Sequence, residues 1–479
     1  MTRLSRREFA IGAGAVGLAS ALGPTVRAAT PAGKPDVIVL GAGISGLETA
    51  WQLEQQGLRV QVLEGRRRVG GRVHTWYDLP GYPEMGFNSM GDGYGRGLDL
   101  ARRTKVPLLE VGSRFRQGKP QELYLDGQRI TREQWRTHPL NPFPEAQRAS
   151  MPWELVPMVV ARANRLADYT TWQDPANRAL DISVNQYLVE RGFSQDAIRL
   201  ANDVSPGYGI NSQDLSTLML EFTDGFVKQQ MAAGPKSWAA QGGNQKLPEA
   251  LAAMLKSEVL LGKEVVAVDN RADGVEVRCA DGSVHRAAHV VCSLPFSALR
   301  NVRITPALTG AQARAVATLP YQPLSMVFLT ASKPFWDADG NAPGMWTNGI
   351  AGTLLPQRFG QDPAEITGFV AQARGQLALN WDRLGHAEVM RRVVAEIEAL
   401  RPAAKGKLRA HRLHSWSAEY FNGGDWAYFA PGQLTDFAAV MGAPAGRIHF
   451  CGEHTARGSR GFEGALESAE RVVTEILSL

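Results

Sequence analysis

The sequence predicts an α/β protein in which a mixed sheet with helices packed on it, entered through a glycine-rich turn, is interrupted by a second, mixed α+β portion. Three observations predict it. Near the start, an apolar β-branched run leads into Gly41-Ala42-Gly43-Ile44-Ser45-Gly46, a helical pattern and a second strand. Near the end, another short apolar run leads into a loop and a helix that opens on glycine. Between them lie long stretches of helical periodicity and a further glycine turn. The 479 residues, 44% hydrophobic and 21% charged, suffice for two or three domains with real cores. Fifty glycines and 27 prolines are scattered without period, which excludes a fibrous chain, and 8% aromatics exclude wholesale disorder.

The formal charge is +5, and residues 1–28 carry much of it. Without their four arginines and one glutamate the charge is +2, so no broad phosphate-binding face is expected and nucleic acid is excluded as a partner. Residues 1–30 have a basic start, an apolar stretch from Ile11 to Leu22 and small residues near Ala28, which predicts a cleavable export signal. The apolar stretch is too short to span a bilayer, and no other stretch is apolar enough, so no stable membrane anchor is expected. Ser5-Arg6-Arg7-Glu8-Phe9 resembles the twin-arginine export signature. That resemblance implies a bacterial translocase as partner, export in the folded state and a periplasmic or secreted protein. Cys279, Cys292 and Cys451 cannot build a disulfide framework and read as small core residues.

Asp36-Val37-Ile38-Val39-Leu40 reads as a buried parallel strand, and Arg59-Val60-Gln61-Val62-Leu63 as a second strand ending at Glu64. This strand, glycine turn, helix, strand and acid order is the context a dinucleotide cradle requires. Gly41 permits the tight turn, Gly43 lets backbone approach a pyrophosphate, and Gly46 lets the helix pack on the strand. Ile44 and Ser45 open the helix, whose free N–H groups and positive dipole end face the phosphates. Glu64 is placed to accept from an adenosine ribose.

Three further blocks carry a resemblance. They are Gly65-Arg66-Arg67-Arg68-Val69-Gly70-Gly71-Arg72, Gln241-Gly242-Gly243-Asn244 through Leu251, and Arg447 to His454 followed by Gly461-Phe462-Glu463-Gly464-Ala465. With the first cradle they begin at residues 36, 64, 241 and 447. Content and order resemble the flavin-dependent amine oxidase family, which includes monoamine and L-amino acid oxidases. The resemblance implies FAD. It puts Gly65 and Arg66 near the adenosine, Gly70, Gly71 and Arg72 at the pyrophosphate, and Val266 at a backbone contact on the adenine side. Gly452 and Glu453 fall at the ribitol phosphate, Phe462 and Glu463 at the isoalloxazine, and Trp416 beside it. Trp426 and Phe462 match the two aromatic rings that orient substrate against the flavin.

Three departures refine the reading. Asp425 stands where animal monoamine oxidases carry the cysteine bonded to flavin, so the FAD is expected to be non-covalent. Asn301 aligns with a lysine that holds a water near the reacting flavin atom in many members, so either another group holds that water or reaction with oxygen is slow. Glu84 to Met90 lacks the arginine that grips a substrate carboxylate in L-amino acid oxidases, which favours an amine without a carboxylate, although another arginine could reach the pocket from elsewhere. His285 and His289 lie on a turn feeding a strand, where their spacing does not focus metal ligands.

The resulting expectation is an FAD-binding Rossmann-like domain, of the glutathione-reductase and amine-oxidase type, interleaved with a mixed α+β substrate domain. Residues 33–87, 241–300 and 425–479 would form the first, and 88–240 and 301–424 the second. The expected activity is oxidation of a small-molecule amine to an imine, then hydrolysis to aldehyde or ketone. Electrons would pass to oxygen or a periplasmic acceptor such as a cytochrome. The alternatives are an L-amino acid oxidase, another FAD-dependent dehydrogenase, and an exported flavoprotein without turnover.

Overall fold

Val37–Leu40 is a strand because four consecutive apolar residues can be buried on both faces only inside a covered sheet, and all four are buried. The computed structural model describes residues 34–115, 119–360 and 362–479, so the export signal expected over 1–30 lies outside the described residues. Val37–Leu40 is the middle strand of five in one sheet, in the order Ile448–Phe450, His289–Cys292, Val37–Leu40, Val60–Glu64, Val259–Leu261. All four pairings are parallel. The helices Ile44–Gln55 and Gly461–Leu477 pack on each other and share an apolar core with this sheet, including Val39, Leu47, Val291, Cys451 and Leu466. The first and last segments of the chain thus meet, as the order of the blocks requires. All three cysteines are buried and free. Burial pushes the thiol of Cys292 up to about 12 and that of Cys451 up to about 11.

A seven-stranded sheet takes its strands from the intervening segments alone: Glu122–Leu125, Gln128–Ile130, Leu324–Ala331, Met345–Thr347, Thr353–Gln357, Gly368–Arg374 and Leu408–Ser415. Its long strand Leu324–Ala331 alternates against neighbours on both sides, pairing antiparallel with Gly368–Arg374 and Leu408–Ser415. A four-stranded sheet joins Val265–Arg271, Gly274–Cys279 and Val284–Ala287 to Arg303–Thr305. The last of these pairs in parallel with Val265–Arg271, so this sheet continues past residue 300, where the sequence placed a boundary. Periodicity places helices over Trp153 to Ala167, Ser183 to Arg191, Leu215 to Gln229 and Ala387 to Leu400, and the structure has them at Pro152–Arg162, Val184–Val189, Thr217–Ala233 and His386–Leu400. Among the described residues, no helix is long and apolar enough to cross a membrane.

Glu84 ties two of the motif segments together. It is 3% exposed and accepts from the Asn244 N–H at 2.6 Å and the Thr75 hydroxyl at 2.8 Å. Burial pushes its carboxyl up to about 8, so at neutral pH the folded protein holds it as the neutral acid. Between its ordinary value of 4.5 and about 8, the unfolded chain has lost a proton that the fold retains. Stability from this group is therefore complete below the lower value and is lost as pH rises through the upper one, by on the order of 5 kcal/mol at most. Urea unfolding from pH 5 to pH 9 should show this decline, and Glu84→Gln should flatten it.

Candidate active site

A cavity of about 320 Å³ runs beside the first glycine turn and out to Trp426 and Phe462. Gly41, Gly43, Ile44 and Ser45 line it, with Glu64, Gly65, Arg66, Gly70, Gly71 and Arg72, and with Asn301, Gly452 and Glu453. Segments more than 400 residues apart in sequence thus share one wall, because the parallel sheet brings its strand ends together.

The turn is shaped by contacts that forbid side chains. Gly41 has φ +95°, a conformation that favours glycine. A Cβ on Gly46 would stand 2.2 Å from the Gly41 carbonyl oxygen, so only glycine lets the helix approach the strand. Gly43 is the opposite case: a Cβ there would meet no protein atom within 4 Å. It caps the helix Ile44–Gln55 without any side-chain hydrogen bond, so first-turn N–H groups remain free for an anion. Gly70 donates its N–H to the Ala42 carbonyl at 2.8 Å, pinning the second glycine pair against the first turn. The Glu64 carboxylate is fixed by two backbone donors, Ala42 N–H at 2.7 Å and Arg66 N–H at 2.8 Å, and an ionised carboxylate keeps lone pairs for ribose hydroxyls. Arg66 pairs with Glu419 and lies over the Phe421 ring at 5.0 Å. Arg72 donates to Glu453 at 2.8 Å and to the Asp425 carbonyl. An open glycine, an uncapped helix end, a positioned acid and two arginines in one cavity are the donor and acceptor set a dinucleotide needs, so these residues fit FAD.

The far end is lined by Leu324, Met326, Gln372, Arg374, Asp425, Trp426 and Arg460. Trp426 is half-buried, its ring 5.6 Å from that of Tyr208. Burial pushes the Asp425 carboxyl up to about 6, against the opposing pull of Arg72 and Arg374. The Trp426 Nε1 is buried without a hydrogen-bond partner among the described residues.

Four of the expected residues, Gly46, Val266, Trp416 and Glu463, do not line the cavity. The Glu463 carboxylate turns to the helix Gly95–Thr104 and accepts from the Arg96 N–H at 3.0 Å and the Gly97 N–H at 3.1 Å, because a helix start offers unpaired donors. Trp416 is fully buried, donates its Nε1 to the Met85 carbonyl at 2.6 Å and packs with Trp76 and Met85 behind the wall. The Val266 side chain is 37% exposed and turns away from the cavity, which its neighbour Val265 lines, since alternate strand side chains face opposite ways; the expected contact at Val266 is through backbone. Phe462 does reach the cavity, but its ring stacks on Phe87 with centroids 4.3 Å apart, so Trp426 and Phe462 are not equivalent. Gly46 stays behind the turn, as its packing role demands.

Sequence reasoning passed over Tyr208, Arg374 and Arg460. Arg460 directly precedes the last motif, which is a usable signal. Tyr208 and Arg374 belong to no motif, and only the folded chain brings Arg374 to the cavity wall and Tyr208 against Trp426.

A fold with a nucleotide cradle at the strand ends and an aromatic-walled chamber beyond it defines a dinucleotide-dependent oxidoreductase. The family model for flavin containing amine oxidoreductases matches residues 44–477, and the chain belongs to that family. FAD is its cofactor. The chain is 26% identical to amine oxidase [flavin-containing] B of Homo sapiens over 93% of this chain and 86% of that one. It is 26% identical to an L-amino-acid oxidase of Naja atra, over 90% and 85% respectively. Among solved structures, a putrescine oxidase bound to putrescine has a TM-score of 0.73 at 21% identity, covering 93% of this chain and 99% of that one. A cyclohexylamine oxidase from Brevibacterium oxydans has a TM-score of 0.73 at 22% identity, covering 93% and 100%.

Proposed function

We propose that the chain oxidises a small-molecule amine at its CH–NH or CH–NH₂ group to an imine, which water then converts to an aldehyde or ketone. The observation that carries this reading is a single cavity joining the dinucleotide cradle to the half-buried Trp426 wall. When bound, FAD supplies the two-electron chemistry. The protein's own part is to position and dry the substrate. Trp426, backed by the Tyr208 ring, gives it an aromatic surface, and desolvation there favours the neutral amine over the ammonium.

Electrons pass on to oxygen or to a periplasmic acceptor such as a cytochrome. Asn301 at the cavity wall supports testing the second, since a neutral amide stands where relatives place a cation. We read residues 1–30 as a twin-arginine signal and the mature protein as periplasmic or secreted. Asp425 offers no thiol, so the FAD is held non-covalently, and acid precipitation should release all of the flavin into the supernatant.

The test is an oxygen-free screen of primary, secondary and aromatic amines for bleaching of the flavin absorbance. Bleaching by at least one amine is expected; none by any would overturn the reading in favour of a flavoprotein without turnover. A second reading, an L-amino acid oxidase yielding a 2-oxo acid, ammonia and hydrogen peroxide, draws support from the Naja atra relative.

A further inference from the structure

Two arginines at the substrate end of the cavity form no ion pair among the described residues. Arg374 ends the strand Gly368–Arg374, and Arg460 immediately precedes the helix Gly461–Leu477. Both line the cavity, and both approach the Trp426 ring, with guanidinium carbons 6.0 Å and 5.2 Å from its centroid. Arg460 also lies 5.2 Å from the Tyr208 ring. Among the described residues, neither guanidinium has a carboxylate within ion-pairing distance, whereas Arg66 and Arg72 nearer the cradle pair with Glu419 and Glu453. Arg374 uses Nε on the Gln372 side chain at 2.9 Å and Nη1 on the Gly207 carbonyl at 3.4 Å. Its Nη2, and every side-chain nitrogen of Arg460, have no hydrogen-bond partner there.

Two unpaired cations in a partly desolvated chamber are costly unless something anionic joins them. The cofactor's phosphates are provided for separately, by the open Gly43 turn and the uncapped helix start. Asp425 is the acid at this end, and both arginines act on its charge without an ion pair to it. With Asp425 ionised, the three groups sum to one positive charge, the complement of a single carboxylate. Guanidinium forks with free N–H groups also match carboxylate geometry better than a point charge would.

We propose that Arg374 and Arg460 form an anion subsite beside Trp426, and that the amine substrate carries a carboxylate held there. The proposal rests on the amine-oxidase reading and names its substrate class. It replaces the expectation drawn from the arginine-free stretch Glu84 to Met90, because the guanidinium groups arrive from two other segments. The same cations raise the cost of an ammonium nearby, so binding the acid end helps keep the reacting nitrogen neutral.

The test uses purified flavin-loaded protein and two sets of probes. In calorimetric and flavin-absorbance titrations, phenylacetate and benzoate should bind at least tenfold more tightly than phenylacetamide and benzamide. Arg374→Met and Arg460→Met should each erase that preference, while Arg374→Lys and Arg460→Lys should retain part of it. Flavin content checks that each variant is folded. If a variant loses flavin, the acid-over-amide preference of the unaltered protein decides alone. In turnover, phenylalanine places the carboxylate on the reacting carbon and 4-(aminomethyl)benzoate places it at a distance. Whichever exceeds phenethylamine and benzylamine in kcat/KM identifies which source the subsite reads. Equal binding of acid and amide, or a preference untouched by both methionine variants, would overturn the subsite. Failure of every amine to bleach the flavin would instead sink the amine-oxidase reading, leaving the binding result to stand by itself.

Discussion

Gly43→Ala is expected to strip the flavin from a protein that otherwise folds normally, whereas Gly46→Ala should lose both flavin and stability. The two glycines are three residues apart and belong to one motif, yet their surroundings differ. At Gly46 the added methyl would sit 2.2 Å from the Gly41 carbonyl oxygen, 2.6 Å from the Ser293 hydroxyl and 3.2 Å from Val39. Alanine inside a helix gains about 1 kcal/mol in propensity over glycine. Overpacking against backbone costs about 1–3 kcal/mol or more, and here the nearest atom is a carbonyl that cannot swing away, so the clash wins. At Gly43 the backbone is extended, with φ −69° and ψ 170°, which alanine adopts freely. The added methyl meets no protein atom within 4 Å and enters the cavity. The loss of a good N-cap residue costs about 1 kcal/mol or less. Close approach of a pyrophosphate to the uncapped helix start is what the methyl prevents, so affinity for FAD should fall at least tenfold. Urea unfolding of the flavin-free proteins, read beside the ratio of flavin to protein absorbance, separates the two outcomes. A Gly43→Ala protein that keeps its full flavin would remove the cradle from the argument.

The cradle was legible in the sequence because its chemistry is local. Gly41, Gly43 and Gly46 answer to the turn they make, and Glu64 to the strand it ends. Helices such as Pro152–Arg162 and His386–Leu400 were legible for a similar reason, since periodicity is written along a single segment. At the far end of the cavity only Trp426, where a motif ran through, was legible as a lining residue. Arg374 is the last residue of a strand whose partners lie around residues 324 and 353, and no pattern near it marks it as facing a cavity. Glu463 and Trp416 show the converse case. Each lies in a recognisable block, but the direction of a side chain is set by what competes for it. The start of the helix Gly95–Thr104 claims the Glu463 carboxylate, and the Met85 carbonyl claims the Trp416 indole. Neither competitor is adjacent in sequence.

Trp426 and Phe462 supply the sharpest test of that distinction, because the sequence assigned them one role and the structure gives them different surroundings. Trp426→Ala should keep its flavin and lose about 100-fold in kcat/KM, the scale on which a misplaced substrate slows reaction. Its indole is half-buried, faces Tyr208, Arg374 and Arg460, and leaves Nε1 without a partner among the described residues, so little packing is lost with it. Phe462 is 6% exposed and stacked on Phe87 with the planes 15° apart. A Cβ on Gly97 would stand 3.3 Å from its ring, which shows how closely the helix Gly95–Thr104 covers it. Removing that ring empties a packed site, and Phe462→Ala should cost about 3–5 kcal/mol. Per flavin-loaded molecule, its kcat/KM should fall less than tenfold. Paired unfolding curves and oxygen-free bleaching rates measure both quantities for each variant. If Phe462→Ala proves as stable as the unaltered protein and as crippled as Trp426→Ala, then the ring works on substrate after all, and the stacking on Phe87 serves to aim it.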